Sequence, residues 1–250
     1  MQRVKKRIFS GCVCEQLVFS VPDGIKNVAK LEPKRPRFKT ETEREEHRVG
    51  ISRRNHARLV NENFTPESLY STLTLSNEYE VHTFDEAKQL RKNYVRRLQY
   101  HYPDARITIY MGRGKKTHRI HFHMLSDGIP EEDIIKLWGM GEVVRVEHLK
   151  EHCYYDGVDH GQDYTGLANY LFDHWTPEQG GHRWKQTRNL KKPDAEDTKP
   201  VKRNYTTKKP PRPPKGFIYV GGYETKYGFL YFKYVKKPPE RKRRRKPGAG

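Results

Sequence analysis

Between residues 66 and 190 the apolar positions follow two alternating rhythms. Leu73 and Leu75 alternate with Thr72, Thr74 and Ser76, the two-residue period of a half-buried strand. Thr83-Phe84-Asp85-Glu86 has the composition of a capping box. It opens a helix whose apolar side is Phe84, Ala87, Leu90, Tyr94, Leu98 and Tyr102, at spacings of three and four. Ile107, Ile109 and Met111 then alternate with Arg106, Thr108 and Tyr110, and Gly112 and Gly114 mark a turn. Ile120, Phe122 and Met124 alternate with Arg119, His121 and His123 in a further strand. Pro130, followed by Glu131, Glu132 and Asp133, suits a helix start, Gly139 a stop, and Val144 and Val146 a last strand. The order strand, helix, strand, strand, helix, strand predicts an α+β fold. Its form is an antiparallel sheet of the split βαβ type (ferredoxin-like or RNA-recognition-like, βαββαβ), with the helices on one face and the other open to a ligand.

The flanks differ in pattern. Residues 1–65 hold one strand, Gln16 to Val21, and a charged helical stretch running into Ala57-Arg58-Leu59-Val60, and form an N-terminal extension. Residues 66–190, which carry the clearest periodicity, form the central domain. Residues 191–250 are basic and Pro-rich: Pro210-Pro211-Arg212-Pro213-Pro214 is an extended linker. After it, Phe217 to Val220 and Phe229 to Phe232 read as a short hairpin, and Arg241 to Lys246 as a disordered basic tail.

Composition narrows the class of partner. Lys and Arg outnumber Asp and Glu by 50 to 31, a net charge of +19, and only 34% of residues are apolar. Such a surplus concentrates polyanions and points to nucleic acid or an anionic membrane surface. No apolar run approaches the roughly 20 residues of a membrane span. The basic start, Met1 to Arg7, lacks the apolar stretch of a signal peptide, so a cytoplasmic location and no membrane partner are expected. Cys12, Cys14 and Cys153 fit a reducing compartment and read as ordinary thiols.

Three groups of residues carry candidate chemistry. His121 and His123 share one side of a strand, close enough to hold one divalent cation while Phe122 packs inward, although alternating histidines also occur as plain surface residues. The segment Asp163 to Trp175, read as a helix capped by Asp163, puts Tyr164, Leu167, Ala168, Leu171, Phe172 and Trp175 on one arc. Tyr170, Asp173 and His174 fall outside it, so Tyr170 is not needed to fill the core. A tyrosine hydroxyl, with a pKa of about 10, needs a polarised phosphate or a nearby base to act as nucleophile. The other reading is a partly buried tyrosine with a satisfied hydroxyl. Arg183 to Pro193 interleaves Trp184 with Arg183, Lys185, Arg188, Lys191 and Lys192, which suits a single strand whose phosphates meet cations and whose bases meet rings.

With these residues in view, the chain resembles the rolling-circle replication initiators of the HUH endonuclease superfamily, in particular a branch carried by bacterial phages and plasmids. The resemblance rests on Leu73-Thr74-Leu75, on Arg119-Ile120-His121-Phe122-His123-Met124, on Leu167-Ala168-Asn169-Tyr170-Leu171 and on Arg188 to Pro193, across roughly residues 50 to 195. It implies that His121 and His123 hold Mg²⁺ or Mn²⁺ and that Tyr170 attacks a phosphate of single-stranded DNA at a replication origin. The products are a 5′-phosphotyrosyl link and a free 3′-OH for a host polymerase, working with a helicase, and no small-molecule cofactor is required. Two positions depart from the family. The usual acidic third ligand aligns near Met111, on the core side, which makes His118 the substitute candidate. The lysine that often follows the tyrosine by three residues is Asp173 here, followed by His174; both are candidate catalytic residues beside Tyr170, either to orient it or to contact the metal. Arg119, on the open side of the histidine strand, joins Arg183, Lys185, Arg188, Lys191 and Lys192 as a DNA-binding candidate. Alternatives are a non-catalytic nucleic-acid-binding module with an RNA-recognition-like sheet, and a single-tyrosine transposase or relaxase with the same chemistry.

Overall fold

A computed structural model describes residues 1–33, 37–141, 144–225 and 227–238; the basic run Arg241 to Lys246 lies outside them. In chain order the elements are β1 (Gln2–Ser10), β2 (Val13–Val21), α1 (Glu41–Asn63), β3 (Leu69–Leu73), α2 (Phe84–His101), β4 (Arg106–Arg113), β5 (Ile120–Asp127), α3 (Glu131–Trp138) and β6 (Val144–His148). There follow β7 (Tyr154–Tyr155), β8 (Val158–Asp159), α4 (Thr165–Phe172), β9 (Trp184–Gln186), β10 (Asp194–Ala195), β11 (Lys199–Pro200), β12 (Phe217–Glu224) and β13 (Leu230–Lys236). The protein is thus α+β, with antiparallel sheets and four helices. No helix among the described residues is long and apolar enough to cross a membrane.

The central sheet runs β6-β3-β5-β4-β9, every pairing antiparallel. One face is closed by α2 and α3. Leu73, Ile107, Ile109, Phe122 and Met124 meet Tyr94, Leu98, Ile134 and Trp138 there, all with no solvent exposure. Helix α2 begins at the expected capping box, with Thr83 and Glu86 each bonding the other's backbone N–H. Helix α3 ends where Gly139 turns left-handed, at φ 60°. The first strand is displaced from its expected position: it runs from Leu69 to Leu73, and Thr74 and Leu75 lie beyond it. Their carbonyls are taken by side chains instead of a ladder, Thr74 by the Trp138 indole at 2.7 Å and Leu75 by Arg119 at 2.7 Å.

The expectation that the helices keep to one face and leave the other open is corrected by the structure. Helices α1 and α4 lie on the second face, where Tyr110 and Leu125 are fully buried against Ala57, Val60, Phe64, Ala168 and Leu171. Tyr110 and Leu125 supply apolar surface at positions that alternation assigned to solvent, and that surface needs cover. The Tyr110 hydroxyl meets His56 Nε2 at 2.7 Å. On this face His121 keeps partial exposure, whereas His123 is buried.

The two ends of the described chain join in a second sheet, β10-β1-β2-β13-β12, with β11 also on β1. The β1–β2 turn is seated on α1 at Gly11. Its φ is +54°, and a Cβ there would stand 2.0 Å from the Asn61 carbonyl oxygen, so only glycine fits. Cys14 is buried in this sheet, which pushes its thiol up to about 12 and keeps it protonated and inert. Strand β13 reaches α4 through Lys233. Its ammonium lies 2.6 Å from Asp163 Oδ2 and 2.9 Å from Thr165 Oγ1, and Asp163 Oδ1 accepts from the Thr165 N–H and hydroxyl. Burial opposes ionisation of the Asp163 carboxyl. The Lys233 charge and the Thr165 bonds outweigh it and hold the group below the usual carboxylate range.

Because that shift is downward, the stabilisation is present above the unfolded carboxylate value of about 3.9 and is lost as pH falls through the folded value. Asp163→Asn, which leaves Lys233 without its counter-charge, should cost about 2 kcal/mol at neutral pH. In thermal melts the gap between the variant and the native chain should narrow on acidification below about pH 4. A gap independent of pH would remove the ion pair as its cause.

Candidate metal and tyrosine site

The site begins with the pleat of β5. Phe122 is fully buried against Trp138, so His121 and His123 stand on the opposite face. In register, His123 lies opposite Thr72 of β3 and Tyr110 of β4, and His121 opposite Gly112. A third imidazole arrives from the end of α4. His174 lies two residues beyond the helix, and its ring centroid lies 4.5 Å from that of His123 and 5.9 Å from that of His121. One ligand nitrogen from each of the three lies within 4.8 Å of the others, a set that could hold a metal ion.

Hydrogen bonds orient these rings. His174 Nδ1 lies 2.8 Å from the Tyr170 carbonyl oxygen, which can only accept, so Nδ1 carries a proton and Nε2 is the nitrogen left to coordinate. His123 Nδ1 meets the Tyr70 hydroxyl at 2.7 Å and Thr72 Oγ1 at 3.2 Å. Both oxygens can accept from an Nδ1–H, and His123 Nε2 is a buried atom with no hydrogen-bond partner. A buried, unpartnered ring nitrogen beside two other imidazoles fits a metal ligand. Burial pushes the His123 imidazole down to about 3, and its histidine neighbours add to the shift; burial lowers His121 in the same sense. Both rings are therefore neutral at pH 7, the form that coordinates. Gly112 makes the close packing possible: a Cβ there would stand 2.7 Å from His174 Cδ2 and 2.8 Å from His121 Nε2.

Tyr170 sits on α4 with 52% of its surface exposed. Its ring centroid is 4.4 Å from that of His174 and 5.8 Å from that of His123. Tyr164, the other tyrosine of this helix region, is 2% exposed and donates to the Lys150 carbonyl at 3.1 Å, a core residue with a satisfied hydroxyl. The helix itself is shorter than the expected arc: it spans Thr165–Phe172, and Trp175 lies beyond it. Burial raises the Tyr70 hydroxyl to about 12, so it stays protonated beside His123 and Tyr170.

The remaining sequence candidates are distributed as follows. His118 is exposed in the turn before β5, at φ 55°, and is not among the three clustered imidazoles. Asp173 is bound by both guanidinium nitrogens of Arg53 on α1, one of them at 2.8 Å, which holds its carboxyl below the usual range. Arg119 is tied to the Leu75 carbonyl and to Glu80. Arg183 stacks over Phe172 at 4.3 Å and Trp175 at 4.2 Å. Lys185 lies on β9. Arg188, Lys191 and Lys192 follow it with exposed side chains, and the Lys191 backbone is clamped by Asn63 through bonds of 2.7 and 2.9 Å. Sequence reasoning passed over Tyr70 and Thr72. They share one face of β3 by the period of two, and their signal lay in the pairing register, which a single sequence does not print.

No family model, characterised protein or solved structure matches the chain.

Gly112→Ala should drive the His121 and His174 rings apart and lower affinity for Mn²⁺ by about tenfold or more. The fold should be retained, as read by calorimetric titration alongside circular dichroism. Unchanged affinity would mean that these imidazoles do not act together on an ion.

Proposed function

We propose that this chain is a metal-dependent, site-specific single-stranded DNA endonuclease and strand transferase that initiates rolling-circle replication through Tyr170, as its resemblance to the HUH initiators implies. The observation that carries the reading is the exposed tyrosine ring packed against a cluster of three histidines. Its fold counterpart is the split βαβ sheet. The spatial order β6-β3-β5-β4, with α2 and α3 as the connections on one face, supports that topology.

His121, His123 and His174 would hold the divalent cation, which when bound supplies Lewis-acid polarisation of the scissile phosphate. Three nitrogen donors without a carboxylate suit Mn²⁺ or another transition ion better than Mg²⁺, which prefers oxygen. The residues of the chain do the rest. Arg53 anchors Asp173 at the end of α4, and the Tyr170 carbonyl fixes His174 just beyond it, so nucleophile and ligand are carried by one short helix and its C-terminal turn. Tyr170 Oη forms a bond to phosphorus as the P–O3′ bond breaks; the tyrosyl proton is released and O3′ leaves as a hydroxyl. The 5′-phosphotyrosyl ester keeps the energy of the diester, so the same 3′-OH, or another, can reverse the step without a nucleotide cofactor. The free 3′-OH is what a polymerase extends.

The test uses labelled single-stranded DNA from the replicon that encodes the chain, in Mn²⁺ or in EDTA, on a denaturing gel. The native protein should give a metal-dependent nick with label retained on protein. Tyr170→Phe should lose roughly 10⁴-fold or more in rate while still binding DNA. His174→Ala should lose metal-dependent cleavage as well. Binding with no nick, across the candidate strands, would leave a non-catalytic binding module instead.

A further inference from the structure

A groove of about 850 Å³ opens at the β9 edge of the central sheet, between α1, α2 and the segment that leads from His174 into β9. Two of the three tryptophans of the chain, Trp175 and Trp184, line it. Among its lining residues Glu45 is the one carboxylate, and Arg48 holds it at 2.6 Å. Arg91, Arg183 and Lys185 also line it, and none of them forms an ion pair among the described residues.

Arg91 is the unusual member. It sits at 9% exposure on the inner side of α2, a position where a helix normally buries an apolar residue, and its Nε has no partner. Burying an uncompensated guanidinium is costly, and burial accordingly disfavours its charged form. The Trp175 indole Nε1 is likewise buried and without an acceptor. Two buried donors and two further cations therefore line one cavity with no acceptor to serve them, beside indole rings that offer a stacking surface. Acceptors that are anionic, have several oxygens and come with a planar ring answer all of these demands together.

We infer that this groove binds a phosphate of a nucleotide unit, with the Arg91 guanidinium and the Trp175 indole N–H donating to its oxygens. The inference stands on the groove alone and requires neither Tyr170 nor a metal. A phosphate bound here could belong to a DNA strand or to a free nucleotide; the donors are the same for both.

The test follows tryptophan fluorescence of the full chain in EDTA, titrated with an oligothymidylate of roughly eight nucleotides, with thymidine monophosphate and with inorganic phosphate. The expected result is a saturable change for at least one probe, weakened about tenfold or more by Arg91→Gln and by a smaller factor in Trp175→Phe. Tighter binding of the oligonucleotide assigns the phosphate to a strand, and equal binding of the small anions to a free ligand; either supports the site. Arg183→Ala, at a half-exposed position, provides the second variant should Arg91→Gln fail to fold, and it too should weaken binding. Native affinity in folded variants, or no fluorescence change with any probe, would overturn the inference. Because EDTA prevents metal-dependent cleavage, this outcome is independent of whether the protein nicks DNA.

Discussion

Phe122 has no contact with solvent, and its two neighbours in sequence are the histidines on which the site is built. Strand alternation means that the pull of one aromatic ring into the α2–α3 core fixes the face of both imidazoles. A one-residue slip of β5 would turn both histidines into the α2–α3 core and Phe122 out of it, so register and histidine placement are protected by the same hydrophobic term. Gly112, opposite His121, then admits a third ring where any side chain would intrude.

The third ring depends on a different anchor. Helix α4 has only eight residues, too short to hold its shape by backbone bonds alone. It is held at its start by Asp163, Thr165 and Lys233, alongside by Asn61 of α1, which accepts from the Tyr164 N–H at 2.8 Å, and at its end by Arg53 on Asp173. Tyr170 and His174 thus owe their placement to polar contacts from two other parts of the chain, α1 and β13, added to the burial of Ala168 and Leu171, while His121 and His123 owe theirs to the α2–α3 core. Tyr170 and His174 are four residues apart, and the bond from the His174 ring to the Tyr170 carbonyl ties the two positions together.

This division explains what the sequence made legible. The period of two in β5, the capping box of α2 and the Pro130–Gly139 bounds of α3 are local signals, and each is found where alternation and capping placed it. Tyr170 stood out because it fell off the apolar arc of its helix, and it is exposed. What could not be read were the non-local pairings. His174 belongs beside His121 and His123 only because α4 folds back over the sheet, and the cover of α1 and α4 over Tyr110 and Leu125 was invisible to a rule that treats alternate positions as solvent-facing. Arg91 is the converse case: it falls between Ala87 and Tyr94 on the apolar side of α2, where its charge argues for solvent, and its burial follows from the proximity of β9 and the segment after His174.

The second sheet carries a consequence for how the molecule is made. Glu15 on β2 and Tyr231 on β13, which are hydrogen-bonded, are 216 residues apart in sequence. Closing a loop of that length costs entropy before any contact repays it, whereas β4 and β5 meet across a short turn. The central sheet can therefore condense early, and the lysine that secures α4 arrives with the last strand to pair. During synthesis the histidine strand would exist before its tyrosine is locked beside it, so an unfinished chain would carry half of the chemistry and none of its alignment.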